Sequence, residues 1–82
     1  MITIERVQTG VRIEKRMLKV LKALAEHFDM SLGELIECMV LHAFDGERVF
    51  GDETLGRIAK LREVYGLDLN RAHAHALREE AP

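Results

Sequence analysis

The hydrophobic pattern changes its period at one point near the N-terminus, and this change limits the folds that the chain can adopt. Over residues 7–13 the side chains alternate between two sides, which is typical of a short strand with one apolar face. From Met17 onward, apolar residues recur every three or four positions, as they do in an amphipathic helix. The sequence therefore predicts one strand that runs directly into a helix.

Further helical patterns follow the first one. Ser31 and Glu34 have the spacing of a capping box, which marks the start of a second helix. Gly46 is placed to end that helix in a left-handed conformation, and Gly66 is placed to end a third. Asn70 is positioned to cap a short last helix. The predicted helices span residues 15–28, 31–44, 52–65 and 70–77.

The predicted strand has no partner within its own chain, because no second stretch shows the same alternation. Unpaired strand edges expose backbone N–H and C=O groups that need hydrogen-bonding partners. A chain of 82 residues also has a modest core, and the lone Cys38 provides no internal disulfide. We therefore expect a homodimer in which the strands of two copies pair in antiparallel orientation.

Nothing in the sequence predicts export or membrane insertion. The first fifteen residues contain no continuous apolar stretch, and the longest apolar run, residues 38–41, is far too short to span a bilayer. We expect a soluble, cytoplasmic domain without membrane contact.

Charge is distributed unevenly along the chain. Residues 1–24 carry six basic and two acidic side chains, a net charge of +4, whereas residues 25–82 carry six basic and twelve acidic side chains, a net charge of −6. Lys15 and Arg16 also fall in the first turn of the predicted first helix, where the helix dipole disfavours positive charge. This asymmetry is typical of a basic N-terminal region that meets an anion. The alternative is a solvated surface of mixed charge, in which Lys15 and Arg16 pair with neighbours such as Glu14.

The strand over residues 7–13, the helix over residues 15–28 and the Ser-Leu-Gly-Glu-Leu-Ile opening of the second helix together resemble the ribbon-helix-helix family of small bacterial and phage DNA-binding proteins. The resemblance implies a mainly α fold, in which an intertwined homodimer contributes one N-terminal strand per chain. The two strands would form a ribbon in the DNA major groove. On this interpretation residues 1–46 are the dimerisation and DNA-binding core. Residues 47–82 add one or two C-terminal helices to the same domain.

The resemblance also implies site residues. The base-reading positions of the family fall on Gln8, Gly10 and Arg12. Arginine pairs with guanine and glutamine with adenine, whereas Gly10 contributes no side chain. The resemblance places a phosphate against the backbone N–H groups at the start of the second helix, at Ser31, Leu32 and Gly33. The unfavourable positive charge in the first turn of the first helix adds Lys15 and Arg16 as predicted phosphate contacts. The implied function is a sequence-specific transcriptional regulator, most simply a repressor.

Other functions have less support in the residues. Cys38 and His42 lie four apart on the second helix, and Glu34 lies on the same side. Structural zinc usually needs four ligands, so two or three on one helix are too few, and we expect no metal and no cofactor. No nucleophile motif or phosphate loop is present, and we expect no catalysis. The alternative is a protein-interaction module, such as an antitoxin whose acidic C-terminal helices bind a partner protein.

Overall fold

The computed structural model describes residues 1–80 and consists mainly of three α-helices. α1 spans Lys15–His27, α2 spans Leu32–Phe44 and α3 spans Asp52–Tyr65. A single 3₁₀ turn follows at Arg71–His73. The prediction of a mainly α chain with one or two helices beyond the first pair is confirmed.

α1 ends in a turn that contains no glycine. Met30 N–H donates to the Ala25 carbonyl at 2.9 Å and Asp29 N–H donates to the Glu26 carbonyl at 3.1 Å, the pair of bonds of a Schellman motif. The motif requires a left-handed residue, and Asp29 takes that place with φ 54°. Aspartate tolerates this conformation better than most residues because its short polar side chain can hydrogen-bond locally.

The ends of α2 follow the predicted chemistry. Ser31 Oγ accepts from Glu34 N–H at 3.1 Å, and Ser31 N–H donates to Glu34 Oε1 at 3.1 Å, which completes the capping box. Gly46 follows the helix with φ 70°, in the left-handed region where glycine avoids strain. The sequence therefore predicted both ends of this helix correctly.

α1 is the central element of the core. It packs against both α2 and α3, and it supplies three of the buried apolar residues in the described chain: Val20, Leu24 and Ala25. Leu35 of α2 is the fourth and is only 1% exposed. Side chains from α3 and from the α2–α3 connector, including Ile58, Leu61 and Phe50, cover this cluster in part.

The predicted strand is absent, and the assignment to the ribbon-helix-helix family is therefore wrong. Residues 1–80 contain three helices and no β-strand. A strand needs backbone hydrogen bonds to a neighbour, and residues 1–13 make none to the rest of the described backbone. The alternation also does not correspond to burial, because Val7 and Val11 are 79% and 75% exposed. We call residues 1–13 the N-terminal arm.

The prediction of a last helix over residues 70–77 is also wrong. Asn70 does act as a cap, since its Oδ1 accepts from Ala72 N–H at 2.9 Å. The turn nevertheless stops at His73, and residues 71–80 are all exposed. Without an apolar side packed on the core, a short segment gains too little to propagate a helix.

Candidate nucleic-acid interface

The N-terminal arm makes two ion pairs with later parts of the chain, one with α2 and one with Glu79 near the C-terminus. Arg6 donates from Nε and Nη2 to the two carboxylate oxygens of Glu37 on α2, both at 2.8 Å. Arg12 donates from Nε to Glu79 Oε1 at 2.8 Å, and its Nη2 donates to the same oxygen. Both pairs lie at the surface. Both ion pairs of the arm are therefore contacts between side chains that water reaches.

The Arg6–Glu37 pair makes the attachment of the arm sensitive to acid. The hydrogen bonds from Arg6, and then its positive charge, hold the pKa of Glu37 below the ordinary value of 4.5, although partial desolvation opposes them. A lowered folded-state pKa means that the stabilisation is present above pH 4.5 and is lost as the pH falls through the lowered value. Acid should therefore release the arm at this point.

The test is a carbon-13 NMR titration of the Glu37 carboxyl group. We expect the pKa of Glu37 to lie below 4.5 in the natural chain and to return toward 4.5 in Arg6→Ala. Arg48→Ala, which removes an arginine that pairs with Asp52 instead, serves as the control. Identical pKa values for Glu37 in the natural chain and in Arg6→Ala would contradict the pairing.

Arg16 connects the start of α1 to the end of α3. Its Nε donates to Glu14 Oε2 at 3.0 Å, and its Nη1 donates to the Gly66 carbonyl and to Asp68 Oδ1, each at 3.0 Å. Glu14 caps α1 by accepting from Met17 N–H at 3.0 Å, and this bond is the main reason why the pKa of Glu14 is lowered. The guanidinium of Arg16, a predicted phosphate contact, is thus engaged within the described chain.

The three predicted base-reading positions, Gln8, Gly10 and Arg12, are all exposed on the arm. The side chain of Arg12 is 85% exposed despite its pairing with Glu79. At Gly10, a Cβ would meet no atom within 4 Å, so no neighbouring group in the described chain requires a glycine there. All three positions on the arm are open to solvent. Of the three, Arg12 has the side chain best suited to donate hydrogen bonds to an anion or a base edge.

Three lysines form an exposed row along α1, which we call the lysine ridge: Lys15, Lys19 and Lys22. Spacings of four and three residues place them on one side of the helix, opposite the side that buries Val20 and Leu24. No ion pair joins them to a carboxylate of residues 1–80, although Lys19 Nζ lies 6.0 Å from the centroid of the Tyr65 ring. Of these three lysines, the sequence predicts only Lys15 as a phosphate contact. The helical spacing of Lys19 and Lys22 from Lys15 is the sequence feature that would have identified the other two.

The start of α2 lies apart from the start of α1. Ser31, Leu32 and Gly33 follow the turn that ends α1, so they lie near its C-terminal end. Thirteen residues of α-helix rise about 20 Å, which is the approximate separation from Lys15 along the axis of α1. Arg12 and Lys15 are three residues apart in the chain, whereas the first turn of α2 does not lie beside Lys15.

Cys38 and His42 do lie on one side of α2, as their spacing predicts. His42 Nδ1 lies 2.8 Å from the Cys38 carbonyl oxygen and 3.7 Å from Cys38 Sγ. The part of the chain that the structure describes holds no group of three or more histidine, cysteine or carboxylate side chains arranged to bind a metal. Among its helices, none combines the length and the apolar character needed to cross a membrane.

We call Arg12 and the lysine ridge together the cationic edge. It comprises the exposed guanidinium of Arg12 on the N-terminal arm and three exposed ammonium groups on α1, which are groups suited to binding phosphates. Comparison of the chain with models of protein families, with curated proteins and with solved structures gives no match.

Proposed function

We propose that this chain is a DNA-binding regulator of transcription that acts as a homodimer and meets DNA through its cationic edge. The lysine ridge is the observation that carries the proposal. Lysines at spacings of three and four repel one another, and Lys15 is further disfavoured by the N-terminal dipole of α1. Phosphates would relieve both penalties.

The length of the lysine ridge also supports DNA as the partner. From Lys15 to Lys22 the axis of α1 rises about 10 Å, comparable to the axial rise of about three nucleotides in one strand of DNA. The positive charge is also local, since residues 1–24 carry +4 while the whole chain carries −2. A partner with closely spaced negative charges fits this edge better than an isolated anion does.

Salt dependence tests the contact between the ridge and phosphates. Lys22→Ala should weaken binding to all duplexes equally and should reduce the slope of log K against log salt by about 0.9 per lost contact, or about 1.8 for a dimer. Lys60→Ala, which removes an exposed lysine from α3, should leave the slope unchanged. Equal slopes for the two variants would contradict phosphate binding by the ridge.

The exposed area supports a dimer. The chain exposes 7402 Å², whereas a folded monomer of 9.4 kDa is expected to expose about 5,000 Å². The excess of about 2,400 Å² matches the area that one subunit of an obligate homodimer buries. Apolar side chains contribute to this excess on the outer side of α2, where Leu41 and Phe44 are 64% and 81% exposed. Exposed apolar side chains of the N-terminal arm contribute to the excess as well.

Light scattering at micromolar concentration should give twice the chain mass of 9.4 kDa. Urea unfolding should require more denaturant as the protein concentration rises, because association and folding are linked. Phe44→Glu should lower the measured mass toward the monomer, while Val64→Glu, on the exposed surface of α3, should not. A natural chain that unfolds cooperatively as a monomer at all concentrations would contradict the dimer.

The protein-interaction alternative stays a prediction. It assigns the binding to acidic C-terminal helices, but α3 carries three acidic and three basic side chains. The negative balance of residues 25–82 is therefore not concentrated on that helix, and the cationic edge remains the most sharply defined charged surface.

A further inference from the structure

The C-terminal segment, residues 76–80, returns to the N-terminal arm. Glu79 pairs with the guanidinium of Arg12 across 67 positions of sequence. The segment contains no helix and no strand, and its side chains are exposed. The contact with Arg12 therefore places a carboxylate on the one arginine of the cationic edge.

We propose that Glu79 is an intramolecular competitor of DNA, which holds Arg12 in the free protein and must be displaced when DNA binds. This inference rests on the proposed DNA-binding function and adds a mode of regulation to the same surface. Glu79 and a guanine edge both accept hydrogen bonds from the same guanidinium donors, so Arg12 cannot pair with both at once.

The strength of the pair suits an exchangeable inhibitor. Arg12 and Glu79 are 85% and 65% exposed, and exposed ion pairs are weak because water screens them. Since Glu79 belongs to the same chain, however, its effective concentration at Arg12 does not fall on dilution. The result is a constant, modest reduction of DNA affinity that does not block binding.

The second ion pair of the arm differs in one respect. Glu37, the partner of Arg6, lies on α2 and is fixed by that helix. Glu79 lies on a segment without regular structure, so it can leave Arg12 without disturbing the helical core. The two pairs therefore have different roles. The Arg6–Glu37 pair anchors the arm, and the Arg12–Glu79 pair controls whether DNA can reach the guanidinium of Arg12.

Glu79→Gln keeps the shape of the side chain and removes its charge. We expect it to tighten DNA binding by about 1.5- to 5-fold per released pair, or about 2- to 25-fold for a dimer that releases two. Glu80→Gln is the matched control, because it removes the same charge from the neighbouring residue and Glu80 makes no ion pair with residues 1–80. In an Arg12→Ala background, Glu79→Gln should change affinity no more than Glu80→Gln does.

The second measurement follows the pair in the absence of DNA, through the nitrogen-15 NMR resonance of Arg12 Nε. Glu79→Gln should shift this resonance, and Glu80→Gln should not. An unshifted Arg12 resonance would overturn the inference. Equal DNA affinities for the two glutamine variants would also overturn it and leave the DNA-binding proposal intact. Failure of the natural chain and of every variant to bind any duplex would overturn both.

Discussion

Replacing Leu24 with alanine is expected to lower the free energy of unfolding by about 2–5 kcal/mol. Leu24 is 2% exposed and lies at the centre of the cluster that joins α1 to its two neighbours. The described chain buries few apolar residues. The cavity left by truncating Leu24 would therefore eliminate a large share of the packing that holds the helices together. Urea unfolding at fixed protein concentration measures the loss.

Val64→Ala is the matched control for this prediction. Val64 lies on α3 and is 74% exposed, so its truncation removes almost no buried surface and should change the free energy of unfolding by less than about 0.5 kcal/mol. If the two variants lost the same stability, the assignment of the core to the α1 interface would be wrong.

Arg12→Ala is expected to have the largest effect on DNA binding. If each Arg12 pairs with a guanine, the substitution should cost about 1–3 kcal/mol per contact, and up to twice that for a dimer. It should also relax the preference at one base pair in each half-site, because only a base contact carries sequence information. Titration of matched and mismatched duplexes measures both quantities.

Arg57→Ala provides the comparison, since it removes the same charge from the exposed surface of α3. It should weaken binding slightly and equally on all duplexes. If Arg12→Ala behaved in the same way, Arg12 would contribute charge but no base recognition.

The helices were predictable from local chemistry. α2 begins at the Ser31–Glu34 capping box and ends before Gly46. α3 begins with an acidic first turn, Asp52 and Glu53, and ends at Gly66. Each signal acts within a few residues, through a backbone N–H or a left-handed φ, so the sequence suffices to find it. The end of α1 was also predicted to within one residue, although Asp29 takes the place usually held by glycine.

The N-terminal arm was not predictable in the same way. Its alternation of Val7, Thr9 and Val11 has the period of a strand, but period alone does not supply the hydrogen-bonding neighbour that a strand requires. The long-range ion pairs of the arm, Arg6 with Glu37 and Arg12 with Glu79, leave no spacing signal at all. They depend on how the chain folds back on itself, which only the structure shows.

The most direct test of the account is a selection from a pool of random DNA duplexes, carried out with the full chain at low salt and followed by titration at rising salt. We expect enrichment of a two-fold symmetric sequence, because a homodimer reads two equivalent half-sites. We also expect an affinity that falls steeply as salt increases. Recovery of no DNA at low salt would show that the cationic edge does not bind DNA.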